Sequence, residues 1–376
     1  MESWLDGIDA LLDGLSGLLE DTLLRFPAQI LAGGPAALDF ARWARLAGSR
    51  RRPTWSTPNE IVFEADIARL RDFSPVHPAG LVPTLVLPPQ AGHDSCIVDY
   101  SPEQSQMQAI VASGLEHALT LDWIGATPKT AGAGIDAYLA VIDRAVEHAG
   151  GRVNLIGDCQ GGWLATIYAA LAPEKVNTLT LAGAPIDFHV GEPIIHEVLS
   201  RLAPAGELAF YEALVAAGGG VLRGDLMLAG FLMIQPGTEI SRQFDLLRHL
   251  DDEQHVARYT EFENWFKYTQ DIPGDFYQWI VRNLFRDNAL VRGRLQVRGE
   301  TVDLARLEMP ISLLAGASDH ITPPAQVYAI ADHASTPPEL IRYELAAGGH
   351  LGLFMSHEAL REHWPPLLAG VLEHSR

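Results

Sequence analysis

The sequence Gly-Asp-Cys-Gln-Gly at residues 157–161 places a cysteine in a tight, glycine-rich turn. A strand-like apolar run at residues 153–156 precedes the turn, and a helical run at residues 163–171 follows it. This strand-turn-helix context is that of a nucleophile elbow, which presents its nucleophile on a strained bend. The start of the helix favours a thiolate, and the backbone N–H of Gln160 becomes the first donor of an oxyanion hole. The pattern predicts that Cys159 is a catalytic nucleophile.

An acid and a base follow Cys159 in the chain order that such a site requires. Asp319 comes soon after the apolar run at residues 311–315, and His350 follows the run at residues 340–345. The residues between Asp319 and His350 leave room for one helix and one strand. We predict that His350 is the general base toward the thiol and that Asp319 fixes the tautomer of the imidazole.

Each of these residues also has a structural interpretation. Cys159 could be a buried cysteine of an ordinary turn, Asp319 a turn-forming residue and His350 a loop histidine. The ordered spacing of all three favours the catalytic interpretation. His320 is a second candidate base because it adjoins Asp319, but adjacent residues of an extended loop point apart, which favours His350.

The elements that must position these residues alternate along the chain. From Thr57 onward, short apolar or β-branched segments are separated by segments of helical length. This alternation predicts an α/β protein with a mostly parallel sheet and helices on both faces. The cysteine elbow, followed by an acid and then a histidine, indicates that this sheet belongs to an α/β-hydrolase fold. We predict an N-terminal helical arm and linker at 1–56, core segments at 57–190 and 304–376, and an inserted, aromatic-rich helical cap at 191–303.

Composition excludes several classes of protein. The chain has 27 Lys and Arg against 47 Asp and Glu, a formal charge of −20, which disfavours nucleic-acid binding. Its two cysteines cannot form a disulfide framework, no Cys/His spacing indicates a metal site, and no stretch approaches the about 18 apolar residues of a membrane span. Acidic residues near the N-terminus do not fit a secretory signal, so we expect a cytoplasmic protein.

A cysteine in place of serine indicates the kind of acyl chemistry. A thiolate that attacks a thioester exchanges one thioester for another of similar energy, so the acyl group keeps its activation for transfer to an alcohol. A serine would form an oxyester and lose much of that activation. Cys159 therefore favours acyl transfer from a carrier thiol such as CoA.

The sequence resembles the polyhydroxyalkanoate synthase family, most closely the catalytic subunit of the short, two-component class III. The resemblance runs from about Thr57 to the C-terminus and includes residues 157–162, 173–176, 184–188, 224–226, 230–233, 265–288, 319–324 and 348–352. It implies polymerisation of (R)-3-hydroxyacyl-CoA into polyester with release of CoA, by a Cys-His-Asp triad beneath a helical cap. It also implies acyl-CoA as substrate with no separate cofactor, a homodimer or an accessory subunit, and association with polyester granules.

One loop departs from the family pattern. Residues 88–100 differ from the run that family members typically carry there, and in this fold that loop supplies the second oxyanion donor. His93 in the loop is a possible pocket residue or a turn cap, and Cys96 is interpreted as a small core residue. The departure keeps open a Cys-dependent hydrolase, either a thioesterase or an intracellular polyester or oligomer depolymerase. A granule-surface protein without activity is a third alternative, based on the apolar segment 226–234.

Overall fold

The computed structural model describes residues 35–48, 50–75, 77, 80–191, 208–234 and 236–376. Most of the predicted N-terminal arm, including the apolar residues from Trp4 to Leu19, lies outside these ranges. The described part of the arm contains helix α1 (Pro35–Gly48). None of the helices in the described ranges has both the length and the apolar character needed to span a bilayer.

One sheet of eight strands forms the centre of the fold, in the order β1-β2-β4-β3-β5-β6-β7-β8. The strands are β1 (Glu60–Glu64), β2 (Ala68–Asp72), β3 (Thr84–Leu87), β4 (Ala118–Trp123), β5 (Val153–Asp158), β6 (Val176–Ala182), β7 (Ile311–Gly316) and β8 (Ile341–Ala346). Strand β2 is antiparallel to both of its neighbours, and all other neighbouring pairs are parallel. This order is that of the α/β-hydrolase fold, so the predicted fold class is confirmed.

Helices connect the strands. They are α2 (Gln106–Ala112), α3 (Ile135–His148), α4 (Gln160–Leu171), α5 (Ala209–Ala217), α6 (Gly224–Ile234), α7 (Pro236–Arg248), α8 (Glu253–Phe266), α9 (Gly274–Ile280), α10 (Pro324–Tyr328), α11 (Gly352–Met355) and α12 (Trp364–Glu373). The sequence of α3 shows why such segments are helical. Its buried residues recur every three or four positions, which gives one apolar face toward the sheet.

The central strands are buried along their whole length. Every residue of β3, β4, β5, β6 and β7 is buried, as expected of parallel strands that are covered on both faces. Helix α4 is buried at nearly every position as well, so the segment after Cys159 lies inside the core. Tyr138 of α3 stacks on Phe276 of α9 with ring centroids 3.7 Å apart, which ties α9 to the same core.

The described residues divide into two compact units, one within residues 1–53 and 229–268 and the other within residues 54–228 and 269–376. In the first unit, Leu246, Leu250 and Tyr259 form a small apolar core with Trp43 and Leu46 packed against it. The second unit contains the whole eight-stranded sheet. Helices α5 to α9 fall in the segment predicted as a cap, of which residues 192–207 lie outside the described ranges. The predicted domain boundaries stay a prediction.

A buried polar network holds the start of β5, the strand that leads to Cys159. The side-chain amide of Asn154 donates to Val82 O at 3.0 Å and to Ser375 Oγ at 2.8 Å. Its oxygen accepts hydrogen bonds from Asn177 at 2.8 Å and from Thr178 at 3.1 Å. Asn154 has no exposed surface, so these hydrogen bonds take the place of those that its amide would make with water.

We expect Asn154→Ala to lower the free energy of unfolding by about 2 to 3 kcal/mol, because it leaves several buried polar partners without hydrogen bonds. Urea unfolding followed by circular dichroism measures the change. Glu308→Ala, at an exposed position, is the control and should change stability by less than about 0.5 kcal/mol. Equal effects of the two substitutions would contradict the role of the network.

Candidate active site

Cys159 lies between the end of β5 and the first residue of α4, on a sharply bent backbone. Its φ is 51° and its ψ is −115°, in a region that side-chain-bearing residues rarely adopt. Two backbone hydrogen bonds hold the bend, from the Cys159 N–H to Ala182 O at 2.8 Å and from the Gly162 N–H to Cys159 O at 3.0 Å. The residue is partly exposed and is not in a disulfide. This is the conformation of a nucleophile elbow.

Two glycines of the turn leave no room for a side chain. A Cβ on Gly161 would lie 1.9 Å from Leu87 O, at the end of β3. A Cβ on Gly157 would lie 2.5 Å from the Cα of Gly162, across the bend. Strand β5, helix α4 and the end of β3 thus approach one another so closely that only glycine fits at these two positions.

The structure brings Asp319 and His350 together at the ends of the neighbouring strands β7 and β8. Nδ1 of His350 lies 2.7 Å from Oδ2 of Asp319. The other carboxylate oxygen of Asp319 accepts the backbone N–H groups of Ile321 at 2.9 Å and Thr322 at 2.8 Å. Asp319 is therefore fixed as a hydrogen-bond acceptor for the imidazole, which orients the ring.

His350 also interacts with Cys159. Burial lowers the pKa of the imidazole, but the negative charges of Cys159 and Asp319, together with hydrogen bonds to both, raise the pKa well above its usual value. The side chains of His350 and Asp319 are 8% and 0% exposed, so water screens these charges little. The arrangement stabilises the imidazolium form of His350. Sequence reasoning named these three residues, and the fold places them in one cluster.

Two further histidines were predicted as secondary candidates. His320 is exposed, and the Asp319 carboxylate is hydrogen-bonded to the ring of His350 instead. His93 is half-buried and its backbone forms an isolated bridge with Thr269. Any part that these histidines play in the site stays a prediction. Cys96 is buried, and burial raises the pKa of its thiol, which fits its interpretation as a core residue.

The oxyanion hole has one clear candidate donor. The backbone N–H of Gln160 is at the start of α4, where helix N–H groups have no intrahelical partner. The loop after β3 begins with Pro88 and Pro89, which carry no N–H. Trp123 Nε1 donates to Pro88 O at 2.8 Å and holds this loop in place. A second donor from this loop would therefore be the N–H of a residue after Pro89.

The residue before the nucleophile, Asp158, has a partner that sequence reasoning missed. Nε2 of Gln106 donates to Oδ1 of Asp158 at 3.3 Å, and both side chains are fully buried. No local pattern indicates this pair, since 52 residues separate its members.

Two groups of histidine and aspartate in the described ranges have ligand atoms within 4.8 Å of one another. They are Asp72 with His77 and His117, and Asp245 with His249 and His255. In the first group His77 lies 3.6 Å from Asp72, and its ring contacts the ring of His117 edge-on with centroids 4.6 Å apart. In the second group the two His–Asp distances are 3.2 and 3.3 Å. Neither group includes a residue of the Cys159 cluster.

Comparison with known proteins identifies the family. The family described as "Protein of unknown function (DUF3141)" matches residues 77–371. The chain belongs to the DUF3141 family.

Curated relatives of this DUF3141 chain include polymerase subunits. The chain is 28% identical over 329 residues to the poly(3-hydroxyalkanoate) polymerase subunit PhaC of Haloferax mediterranei, covering 85% of this chain and 64% of that protein. It is 26% identical over 279 residues to the subunit of the same name from Allochromatium vinosum, covering 72% of this chain and 75% of that protein. The resemblance predicted from the motifs is confirmed.

Solved structures of α/β-hydrolases are also similar. A Bacillus megaterium epoxide hydrolase is 15% identical with a TM-score of 0.46, over 82% of this chain and 99% of that one. The fold assignment rests on the strand order and the elbow described above.

We expect Gly161→Ala to prevent the native turn, because the added Cβ would overlap backbone oxygen at Leu87. The predicted loss in free energy of unfolding is more than about 3 kcal/mol, measured by urea unfolding. Gly134→Ala is the matched control, because a Cβ at Gly134 has nothing within 4 Å. A Gly161→Ala protein as stable as the control would contradict the described packing.

We expect the positive charge that His350 keeps at neutral pH to make the Cys159 sulfur more reactive toward iodoacetamide. At pH 7, alkylation of Cys159 should be at least about tenfold slower in His350→Gln than in the wild type. Peptide mass spectrometry separates Cys159 from Cys96, which should stay unlabelled because it is buried. Equal rates of Cys159 alkylation in the two proteins would contradict the interaction between His350 and Cys159.

Proposed function

We propose that the chain is a Cys-His-Asp acyltransferase of the polyhydroxyalkanoate synthase type. In this proposal it moves (R)-3-hydroxyacyl groups from CoA thioester to Cys159, and from there to the hydroxyl end of a growing polyester, with release of CoA. The observation that carries the proposal is the cysteine at the elbow next to His350, in a chain whose curated relatives include poly(3-hydroxyalkanoate) polymerase subunits.

The first half-reaction is acylation of the enzyme. The thiolate of Cys159 attacks the thioester carbonyl carbon, and the carbonyl oxygen takes the negative charge of the tetrahedral intermediate. The N–H of Gln160 donates to that oxygen. When the intermediate collapses, the bond between carbon and the CoA sulfur breaks, and the imidazolium of His350 gives its proton to the leaving thiolate. The products are free CoA and an acyl thioester on Cys159.

The second half-reaction is transfer to an alcohol. The neutral imidazole of His350 takes the proton of a hydroxyl group on the polyester end, and the hydroxyl oxygen attacks the acyl carbon. The bond between the acyl carbon and the Cys159 sulfur breaks, and the polyester is longer by one ester unit. His350 is then an imidazolium beside a thiolate again, which is the starting state. Asp319 stabilises the imidazolium and holds the ring in the orientation that both steps need.

The acyl-CoA substrate, a homodimer or accessory subunit, and granule association belong to the same proposal. The word "subunit" in the names of the relatives supports a partner protein. We also propose that the segment 191–303 contains the helical cap that the sequence predicts. The proposal requires no cofactor besides the acyl-CoA substrate.

We expect the purified protein to release CoA from (R)-3-hydroxybutyryl-CoA and to form oligomers of increasing length, measured by a thiol assay and mass spectrometry. Cys159→Ala should abolish both, with a loss of at least about a thousandfold. Cys96→Ala is the matched control, because this second cysteine is buried and should leave product formation intact.

The product distinguishes the alternatives. Free 3-hydroxy acid with no oligomers would contradict the synthase and support a Cys-dependent thioesterase or depolymerase that uses the same residues. No turnover of any hydroxyacyl-CoA, together with slow labelling of Cys159, would support a granule-surface protein without activity.

A further inference from the structure

Asp158 is a buried carboxyl group that the proposed mechanism does not use. It is the last residue of β5, directly before Cys159, and none of its surface is exposed. Its neighbour Gln106, the first residue of α2, is equally buried and donates from Nε2 to Oδ1 at 3.3 Å. A carboxylate in such a place loses its hydration in exchange for a single amide contact.

The remaining polar atoms of this pair indicate where a proton lies. Within the described part of the chain, neither Oδ2 of Asp158 nor Oε1 of Gln106 has a hydrogen-bond partner. If Asp158 were ionised, both atoms would be acceptors without a donor, which is costly in a buried site. A proton on Oδ2 changes that atom into a donor, and the amide oxygen of the same Gln106 is available to accept it. A carboxylic acid and a primary amide then exchange two hydrogen bonds.

We propose that Asp158 is a protonated carboxylic acid paired with the Gln106 amide, and that this uncharged pair keeps negative charge away from the Cys159 sulfur. Asp158 is in this sense a positioning residue, because it acts through Cys159 and touches no reacting atom. The inference rests on the proposed function in one respect, the role of Cys159 as nucleophile.

The charges around Asp158 agree with this assignment. Burial raises its pKa to about 8, although the Gln106 hydrogen bond and the positive charge of His350 oppose the shift. Among the described residues, His350 is the one charged group with an effect on Asp158, and the thiol of Cys159 follows it in the chain. An ionised Asp158 would place a second negative charge next to residue 159 and oppose the effect of His350. A neutral Asp158 leaves the imidazolium and the thiolate as a balanced pair.

The first test measures the proton itself. A difference infrared spectrum between the wild type and Asp158→Asn, recorded at about pH 6.5, should contain the carbonyl stretch of a buried carboxylic acid. The band should be absent from the variant and should disappear from the wild type as the pH rises through about 8. A wild-type spectrum with no such band would overturn the proposal, whatever the enzyme activity.

The second test exchanges the two partners. Gln106→Glu places two carboxyl groups that share one proton beside Cys159 and so adds one negative charge. The added charge disfavours a thiolate, so iodoacetamide at pH 7 should alkylate Cys159 about tenfold more slowly than in the wild type. Adding Asp158→Asn to Gln106→Glu restores one acid and one amide, and the rate should return close to its wild-type value. An unchanged rate in Gln106→Glu, or no return in the double variant, would overturn the proposal.

The two tests separate this inference from the proposed function. Neither test uses a CoA substrate. If both predictions are met but the protein makes no polyester, the Asp158–Gln106 pair is supported and the synthase function is contradicted. If the protein makes polyester but shows no infrared band, the synthase function is supported and the protonated pair is contradicted. If Gln106→Glu does not fold, the infrared measurement alone decides.

Discussion

The strained backbone at Cys159 is the constraint on which the rest of the site depends. A positive φ costs a residue with a side chain about 1 to 2 kcal/mol, and it persists only where the surroundings enforce it. Here the Cys159 N–H is bonded to β6, the Gly162 N–H closes the turn, and Gly161 contacts the end of β3. These contacts fix the sulfur at the edge of the sheet and leave it partly exposed. The stability of the core thus maintains a conformation that the local sequence alone would not adopt.

Parallel strand order explains how distant residues reach that sulfur. The carboxyl ends of neighbouring parallel strands meet at one edge of a sheet. Strands β5, β6, β7 and β8 are neighbours, so Cys159 after β5, Asp319 after β7 and His350 after β8 come together there. The cluster then has one fixed negative charge, on Asp319, and one exchangeable proton between His350 and Cys159. Such a proton serves acyl transfer in both directions, because the same imidazole gives it to the leaving thiol and takes it from the incoming alcohol.

Much of this could be predicted from the sequence, because the signals are local. The glycines of the elbow indicate close backbone contacts. The buried parallel strands are indicated by continuous apolar runs. The sequence does not indicate strand β2, because its residues Ala-Arg-Leu-Arg-Asp contain no apolar run. Only Ala68 and Leu70 face the core, and Arg71 pairs with the buried Asp122 at 2.7 Å. That ion pair joins residues of two strands and has no signature in either segment.

The protonation of Asp158 was beyond sequence reasoning for a related reason. From the sequence, a carboxylate beside the nucleophile opposes thiolate formation. Its contact with Gln106 joins the first residue of α2 to the last residue of β5, and no local pattern encodes that contact. The second oxyanion donor was equally inaccessible, since it depends on how the loop after Pro88 is folded. Asp319 and His350 could be predicted although they are distant from Cys159, because each follows a strand in a known chain order, whereas the Gln106–Asp158 contact and the second oxyanion donor follow no such order.

Trapping the acyl group on the enzyme tests the central claim most directly. The protein is mixed with (R)-3-hydroxybutyryl-CoA, quenched in acid within the first turnover, digested and analysed by mass spectrometry. The account predicts one hydroxybutyryl group on the peptide that contains Cys159, removable by hydroxylamine as a thioester should be, with one CoA released for each group bound. Release of CoA with no acyl group on that peptide, or with the acyl group on another residue, would contradict it.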